Sequence, residues 1–195
     1  MIKVCHLSST HLRFDTRIFY KQCQSLASDN RKVSLIIADG LGNEIKDDIS
    51  IFDVGKQKNR FRRIFRTTND VYKKALELNC DIYHFHDPEL IRTGLKLKKV
   101  GKKVIFDIHE NIALQILSKE YIPIYLRKII TNLYIKYEIK NLKKFDALIL
   151  AENSYYDYYK LLNKKIEIVL NMPDAVALNS FYSKKRIKNE NKVKG

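Results

Sequence analysis

Val104-Ile105-Phe106-Asp107-Ile108-His109-Glu110-Asn111 reads as a buried strand that runs straight into a titratable pair. In an open parallel sheet, ligands bind outside the carboxyl ends of the strands. His109 and Glu110 therefore stand where chemistry is usually done. About twenty residues earlier, Asp81-Ile82-Tyr83-His84-Phe85-His86-Asp87-Pro88 has the same form, a strand pattern ending in His-Asp. Two strand ends that carry His–acid pairs predict one cleft with two walls.

Outward from these stretches the chain alternates between two periodicities. Strand patterns occupy residues 2–8, 33–38, 49–54, 82–86, 103–108, 147–150 and 166–170. Helical patterns fall between them. The first follows Asp15 or Thr16, either a fitting N-cap, and carries apolar or aromatic residues at 18, 19, 23, 26 and 27. Others span roughly 61–79, 88–100, 122–144 and 154–162, with Pro88 suited to a first helical turn and Gly101 to a helix stop. Gly40 and Gly42 mark a turn. On 122–144, Ile122, Tyr125, Leu126, Ile129, Ile130, Leu133 and Tyr137 share one face, which the sheet is expected to cover. Residues 112–120 have no clear pattern. Strand–helix alternation of this length predicts an α/β, Rossmann-like, doubly wound sheet. It should be mainly parallel, with about seven strands and helices on both faces. Residues 1–181 should form that domain, and 182–195 a basic linker or disordered tail.

Bulk properties narrow the function. The chain has 195 residues and a net charge of +15, which favours an anionic partner: nucleic acid, an acidic lipid surface or a phosphorylated substrate. The basic run at 56–66 is interleaved with Phe61, Ile64 and Phe65. It reads as the exposed start of a helix whose aromatics point inward, so no specific nucleic-acid site is expected. The N-terminus lacks a signal-peptide pattern, and Cys5, Cys23 and Cys80 suit reduced thiols. A cytoplasmic protein is expected, docked peripherally on the inner face of the cytoplasmic membrane. The first loop, Ser9 to Arg17, has no glycine, which argues against NAD or FAD. There is no nucleophile elbow and no Gly-Lys-Thr/Ser phosphate loop.

His84 and His86 alternate to one side of a strand and Asp87 follows. Imidazole and carboxylate suit zinc, iron or manganese, but a metal needs three or four converging ligands. His84 reads as a strand residue, His86 and Asp87 as cleft residues. His109 and Glu110 suit the roles of acid, base or hydrogen-bond partner to a sugar or phosphate.

Phe14-Asp15-Thr16-Arg17-Ile18-Phe19 after the opening strand, Asp81 through Leu90, and Phe106-Asp107-Ile108-His109-Glu110 stand in a telling order. Together they resemble the N-terminal domain of family 4 glycosyltransferases with the GT-B fold. Asn171-Met172-Pro173-Asp174 to Phe181 resembles the hand-over to the second domain. The resemblance implies a cleft enzyme whose N-terminal half binds the acceptor. The C-terminal half binds a nucleotide-sugar and carries a Glu-x7-Glu signature. It implies retention of configuration, no metal and no cofactor. His109 and Glu110 would be catalytic; Asp15, Thr16, Arg17, His86 and Asp87 would bind substrate. No Glu-x7-Glu segment follows in this sequence, so an acceptor-binding half is expected, inactive without a donor-binding domain or subunit. Its acceptor would be a glycan or a lipid-linked one. The alternatives are a non-catalytic binding or scaffold module of the same fold, and a metal-dependent hydrolase using His86, Asp87, His109 and Glu110.

Overall fold

The computed structural model describes residues 1–57, 59 and 63–172. The strands are β1 (Lys3–Leu7), β2 (Lys32–Ile37), β3 (Glu44–Lys46), β4 (Ile49–Asp53), β5 (Ile82–Phe85), β6 (Lys103–Ile108), β7 (Ala147–Leu150) and β8 (Ile166–Ile168). They form one sheet in the order β3-β4-β2-β1-β5-β6-β7-β8. Every pairing is parallel except β3 with β4. From β1 the chain builds toward β4 on one side, then crosses to β5 and builds outward on the other. The order thus reverses between β1 and β5, and a crevice forms at such a switch point.

The helices are α1 (Thr16–Cys23, wound with wider π-type turns, then α-helical over Gln24–Ser28) and α2 (Arg63–Thr67, then Thr68–Leu78). They continue with α3 (Pro88–Leu90, then Ile91–Lys99), α4 (Ile112–Ser118), α5 (Ile124–Asn141) and α6 (Asn153–Tyr155, then Tyr156–Tyr159). Side chains alternate across each strand. On one face Leu7, Tyr83, Phe85, Phe106 and Leu148 pack with Val71 and Ala75 of α2 and Leu90, Ile91 and Leu97 of α3. On the other, Val33, Leu35, Ile37, Ile49 and Ile51 pack under Ile18, Phe19 and Cys23 of α1. Helices thus cover both faces, as expected of a doubly wound sheet. Gly94 lets α3 sit close: a Cβ there would stand 2.8 Å from Phe85 Cε1. Cys5, Cys23 and Cys80 are free and buried.

The sheet matches the expected class, with one short strand that the sequence reading did not mark, and two further expectations need correction. The sheet has an eighth strand, β3, too short for its alternation to register in the sequence. Asp47 and Asp48, with φ of 50° and 60°, make the two-residue turn into β4, as a tight hairpin requires. Phe65 is 63% exposed and does not point inward. The apolar face of 122–144 is not covered by the sheet either. Tyr125, Ile129 and Leu133 are 64%, 53% and 62% exposed, whereas α5 buries Thr131, Glu138 and Asn141. Apolar residues recur all round this helix, so their spacing alone did not select its inner side. Phe61, the hand-over segment from Pro173 to Phe181 and the tail at 182–195 lie outside the described residues.

Candidate active site

Three strand ends meet at the crevice. The register sets His6 of β1 beside His84 of β5, and Phe85 beside Phe106 of β6. His86 and Asp107 therefore emerge side by side, one residue further on. His6, His84, His86, Asp107 and His109 share the sheet face that α1 covers. The chain has five histidines, and all five meet here: ring centroids lie 4.7 Å apart for His6–His84, 5.2 Å for His6–His86, 5.4 Å for His86–His109 and 4.9 Å for His11–His109.

Asp107 is the hub of the inner network. It is fully buried and receives Arg17 in a two-pronged pair, Nε–Oδ2 3.0 Å and Nη2–Oδ1 2.7 Å. Gln22 Nε2 donates to Oδ2 at 2.7 Å. His86 Nδ1 and His109 Nε2 stand 3.3 and 3.1 Å from the same oxygen. Burial pushes this carboxyl up, but the His109, His86 and Arg17 partners outweigh it and hold it well below the usual range. Burial also lowers His84 to about 3 and His86 to about 4, so both rings are neutral near pH 7. His86 Nε2 faces His6 Nδ1 at 3.0 Å, while His6 Nε2 and His84 Nε2 are buried with no hydrogen-bond partner among the described residues.

Asp87 is the hub of the outer network. It accepts from Ser8 Oγ (2.9 Å), the Ser9 amide (2.7 Å) and the Thr10 hydroxyl, and it pairs with His11 Nδ1 at 3.1 Å. These bonds tie the loop after β1 to the end of β5. Burial pushes Asp87 up, but His11, Thr10 and Ser9 outweigh it and hold the carboxyl below its usual range.

The two networks wall a cleft of about 420 Å³ lined by Thr10, His11, His86, Asp87, His109 and Glu110, with Tyr134 and Glu138 of α5 at its far side. Glu110 is exposed and accepts from Gln115, and Asn111 caps α4 by accepting from the Leu114 amide at 3.1 Å. Asp15 caps α1 through the Arg17 and Ile18 amides at 2.8 and 2.9 Å. Thr16 is exposed on that first turn, and Arg17 is buried on Asp107 with its Nη1 on the Val169 carbonyl at 2.6 Å. The fold therefore gathers His86, Asp87, His109 and Glu110 in the cleft and leaves Asp15, Thr16 and Arg17 outside its lining.

Sequence reading missed Asp107, His11 and Glu138. Asp107 points to the α1 face like His109, and the two-residue strand period carried that signal. Burial raises Glu138 to about 7, with the Tyr134, Tyr158 and Tyr159 side chains opposing the shift. Nothing local in the sequence marks it, because Tyr158 and Tyr159 come from twenty residues further on.

The chain adopts the fold of one half of a GT-B glycosyltransferase. No protein-family model and no curated protein matches the sequence. Among solved structures it is similar to a sucrose-phosphate synthase from Thermosynechococcus elongatus, with TM-score 0.62 and 11% identity over 87% of this chain and 48% of that one. A glycosyltransferase from Rickettsia africae gives TM-score 0.56 and 17% identity over 87% and 42%. A trehalose-6-phosphate structure from E. coli, bound with UDP-2-fluoro glucose, gives 0.52 and 12% over 82% and 42%. At such identities the likeness is one of fold. The chain spans about half the length of the first of these proteins.

Proposed function

We propose that this chain is the acceptor-binding half of a retaining glycosyltransferase, moving a sugar from a nucleotide-sugar to a glycan or lipid-linked acceptor together with a donor-binding domain or subunit. One observation carries the reading. The cleft opens at the carboxyl ends of β1, β5 and β6, at the switch point of a sheet with the GT-B half fold, and gathers His86, Asp87, His109 and Glu110 there. In this reading His109 and Glu110 face the reacting sugar, with Nε2 of His109 fixed by Asp107. His86 and Asp87 shape the acceptor wall. Arg17 acts through Asp107 as a positioning residue, and Asp15 and Thr16 set the entry of α1 beside it.

The test supplies a donor-binding domain in trans or by fusion, with a panel of labelled nucleotide-sugars. Transfer should appear only with both halves present. His109→Ala should then lower kcat by roughly a hundredfold, as removal of a preorganised donor does, with the unfolding midpoint little changed. Full activity in that variant would remove His109 from the chemistry.

An anionic membrane is the partner surface we propose for the same half. Beyond the exposed residues of α5, Leu114 and Leu117 of α4 and Tyr121 of the turn between the two helices are 61%, 40% and 74% exposed. Lys128, Lys136 and Lys140 are exposed beside them. No helix among the described residues is long and apolar enough to cross a membrane. An apolar face ringed by lysines lies flat in a lipid interface, and such docking brings the cleft to a lipid-linked acceptor. Arg127 takes no part, since its guanidinium is used on the Leu117, Glu120 and Ile122 carbonyls.

A further inference from the structure

His86 Nδ1, His109 Nε2 and Asp107 Oδ2 form a near-equilateral triangle with edges of 3.3, 3.3 and 3.1 Å. Two ligand atoms at roughly 2.05 Å from a tetrahedral zinc ion are separated by roughly 3.3 Å. The three atoms thus already stand about where three corners of such a site would put them.

The proton inventory points the same way. A carboxylate offers about four acceptor positions on two oxygens. Five nitrogens converge on Asp107: Arg17 Nε and Nη2, Gln22 Nε2, His86 Nδ1 and His109 Nε2. Four of them press on Oδ2 alone. A cation inside the triangle relieves this crowding. Each imidazole then directs a lone pair at the ion, and Oδ2 keeps only Arg17, Gln22 and the ion. Neutral imidazole is the ligand form. The surroundings are those of a metal shell. His86 presents its other nitrogen to His6 Nδ1 at 3.0 Å, and Arg17 and Gln22 hold the carboxylate. Ring and carboxylate orientation of this kind supports metal ligands generally.

We propose that His86, Asp107 and His109 bind one divalent transition-metal ion of the zinc class. His86 and His109 both line the cleft, so the fourth position opens to water or to a hydroxyl or phosphate oxygen of a substrate. The two imidazoles favour zinc or iron over calcium or magnesium, which prefer all-oxygen ligands. The site shares His86 and His109 with the cleft proposed for transfer, but the assignment does not rest on that reading and its test uses no sugar.

The full chain, stripped with a chelator and freed of any tag, is titrated with Zn(II) by calorimetry and with Co(II) by visible spectroscopy. The expected result is one equivalent bound, with the strong ligand-field absorption of four-coordinate Co(II). His109→Gln, at a partly exposed position, should weaken binding at least tenfold and remove that absorption while the circular dichroism stays the same. His86→Gln should do likewise where it folds. Binding well below one equivalent, or binding unchanged in His109→Gln, overturns the assignment. Binding lost in His84→Gln but kept in His109→Gln also overturns it, because the ion would then sit in the deeper trio of His6, His84 and His86.

Discussion

The strand ends under α1 and the α4–α5 pair invert the usual rule of where polar and apolar side chains go. Under α1, Arg17, His84, His86 and Asp107 are each 5% exposed or less. On α5, Ile124, Tyr125, Ile129 and Leu133 are each more than half exposed. Burying charge is costly unless every partner is present, and exposing large apolar area is unusual unless something covers it. In the first region, Arg17, His86 and Asp107 are held by one another from separate elements, while His84 packs beside them, its Nε2 lacking a hydrogen-bond partner among the described residues. The second leaves large apolar side chains exposed.

The largest effect should come from breaking the first region. Asp107→Ala leaves the Arg17 guanidinium buried without its carboxylate, which costs about 3–5 kcal/mol. Urea unfolding should show the midpoint fall with little change of slope. Arg17→Met combined with Asp107→Leu should recover most of the loss, since a well-packed apolar pair avoids the desolvation. A single Asp107→Ala change costing under about 1 kcal/mol would mean that the ion pair does not hold α1 on the strands.

Most of the sheet could be read from the sequence, since its strands alternate with helices and end in recognisable turns. The cleft was legible in part. Period two places His84 and His86 on one side, and the strand-end rule marks His109 and Glu110. What stayed hidden depended on partners far along the chain. The resemblance implied that Arg17, on the first loop, would bind substrate. Its counter-ion lies ninety residues away, and no local pattern announces it. β3 was too short to show a period. The inner side of α5 was hidden because the helix is apolar around much of its circumference, so burial there is decided by Tyr158 and Tyr159 contacting Glu138.

Glu138 lies where the two regions meet, on α5 yet lining the cleft, and its titration measures how dry that junction is. Burial raises its folded pKa to about 7, against about 4.3 in an unfolded chain. Between these values the unfolded state loses its proton first. The stability contributed by the neutral acid is therefore full below pH 4.3 and declines as pH rises to about 7. Glu138→Gln stays neutral throughout. It should match the parent at pH 4 and exceed it at pH 8 by up to about 3 kcal/mol. Parallel pH profiles for the two proteins would show that water reaches the carboxyl and that the junction is open.

The smallest effect on stability should come from the second region, and there the comparison is tested most directly. Ile129→Gln and Leu133→Gln lie on faces of α5 that are 53% and 62% exposed. Surface changes of this kind stay within about 0.5 kcal/mol. The same pair should lose much of its co-sedimentation with acidic vesicles, because the apolar residues supply the insertion and the lysines only the approach. Lys128, Lys136 and Lys140 changed to Gln should weaken binding by about 1 kcal/mol for each charge that reaches the surface, and added salt should mimic that loss. The two sets separate lipid docking from charge alone. If the lysine set abolishes pelleting and the apolar set leaves it intact, the attraction is purely electrostatic and the exposed face of α5 serves something other than a bilayer. If the apolar set instead costs several kcal/mol of stability, that face is packed in solution against another part of the protein or a second copy. The contrast between the buried charged cluster and the bare apolar helix would then not hold in solution.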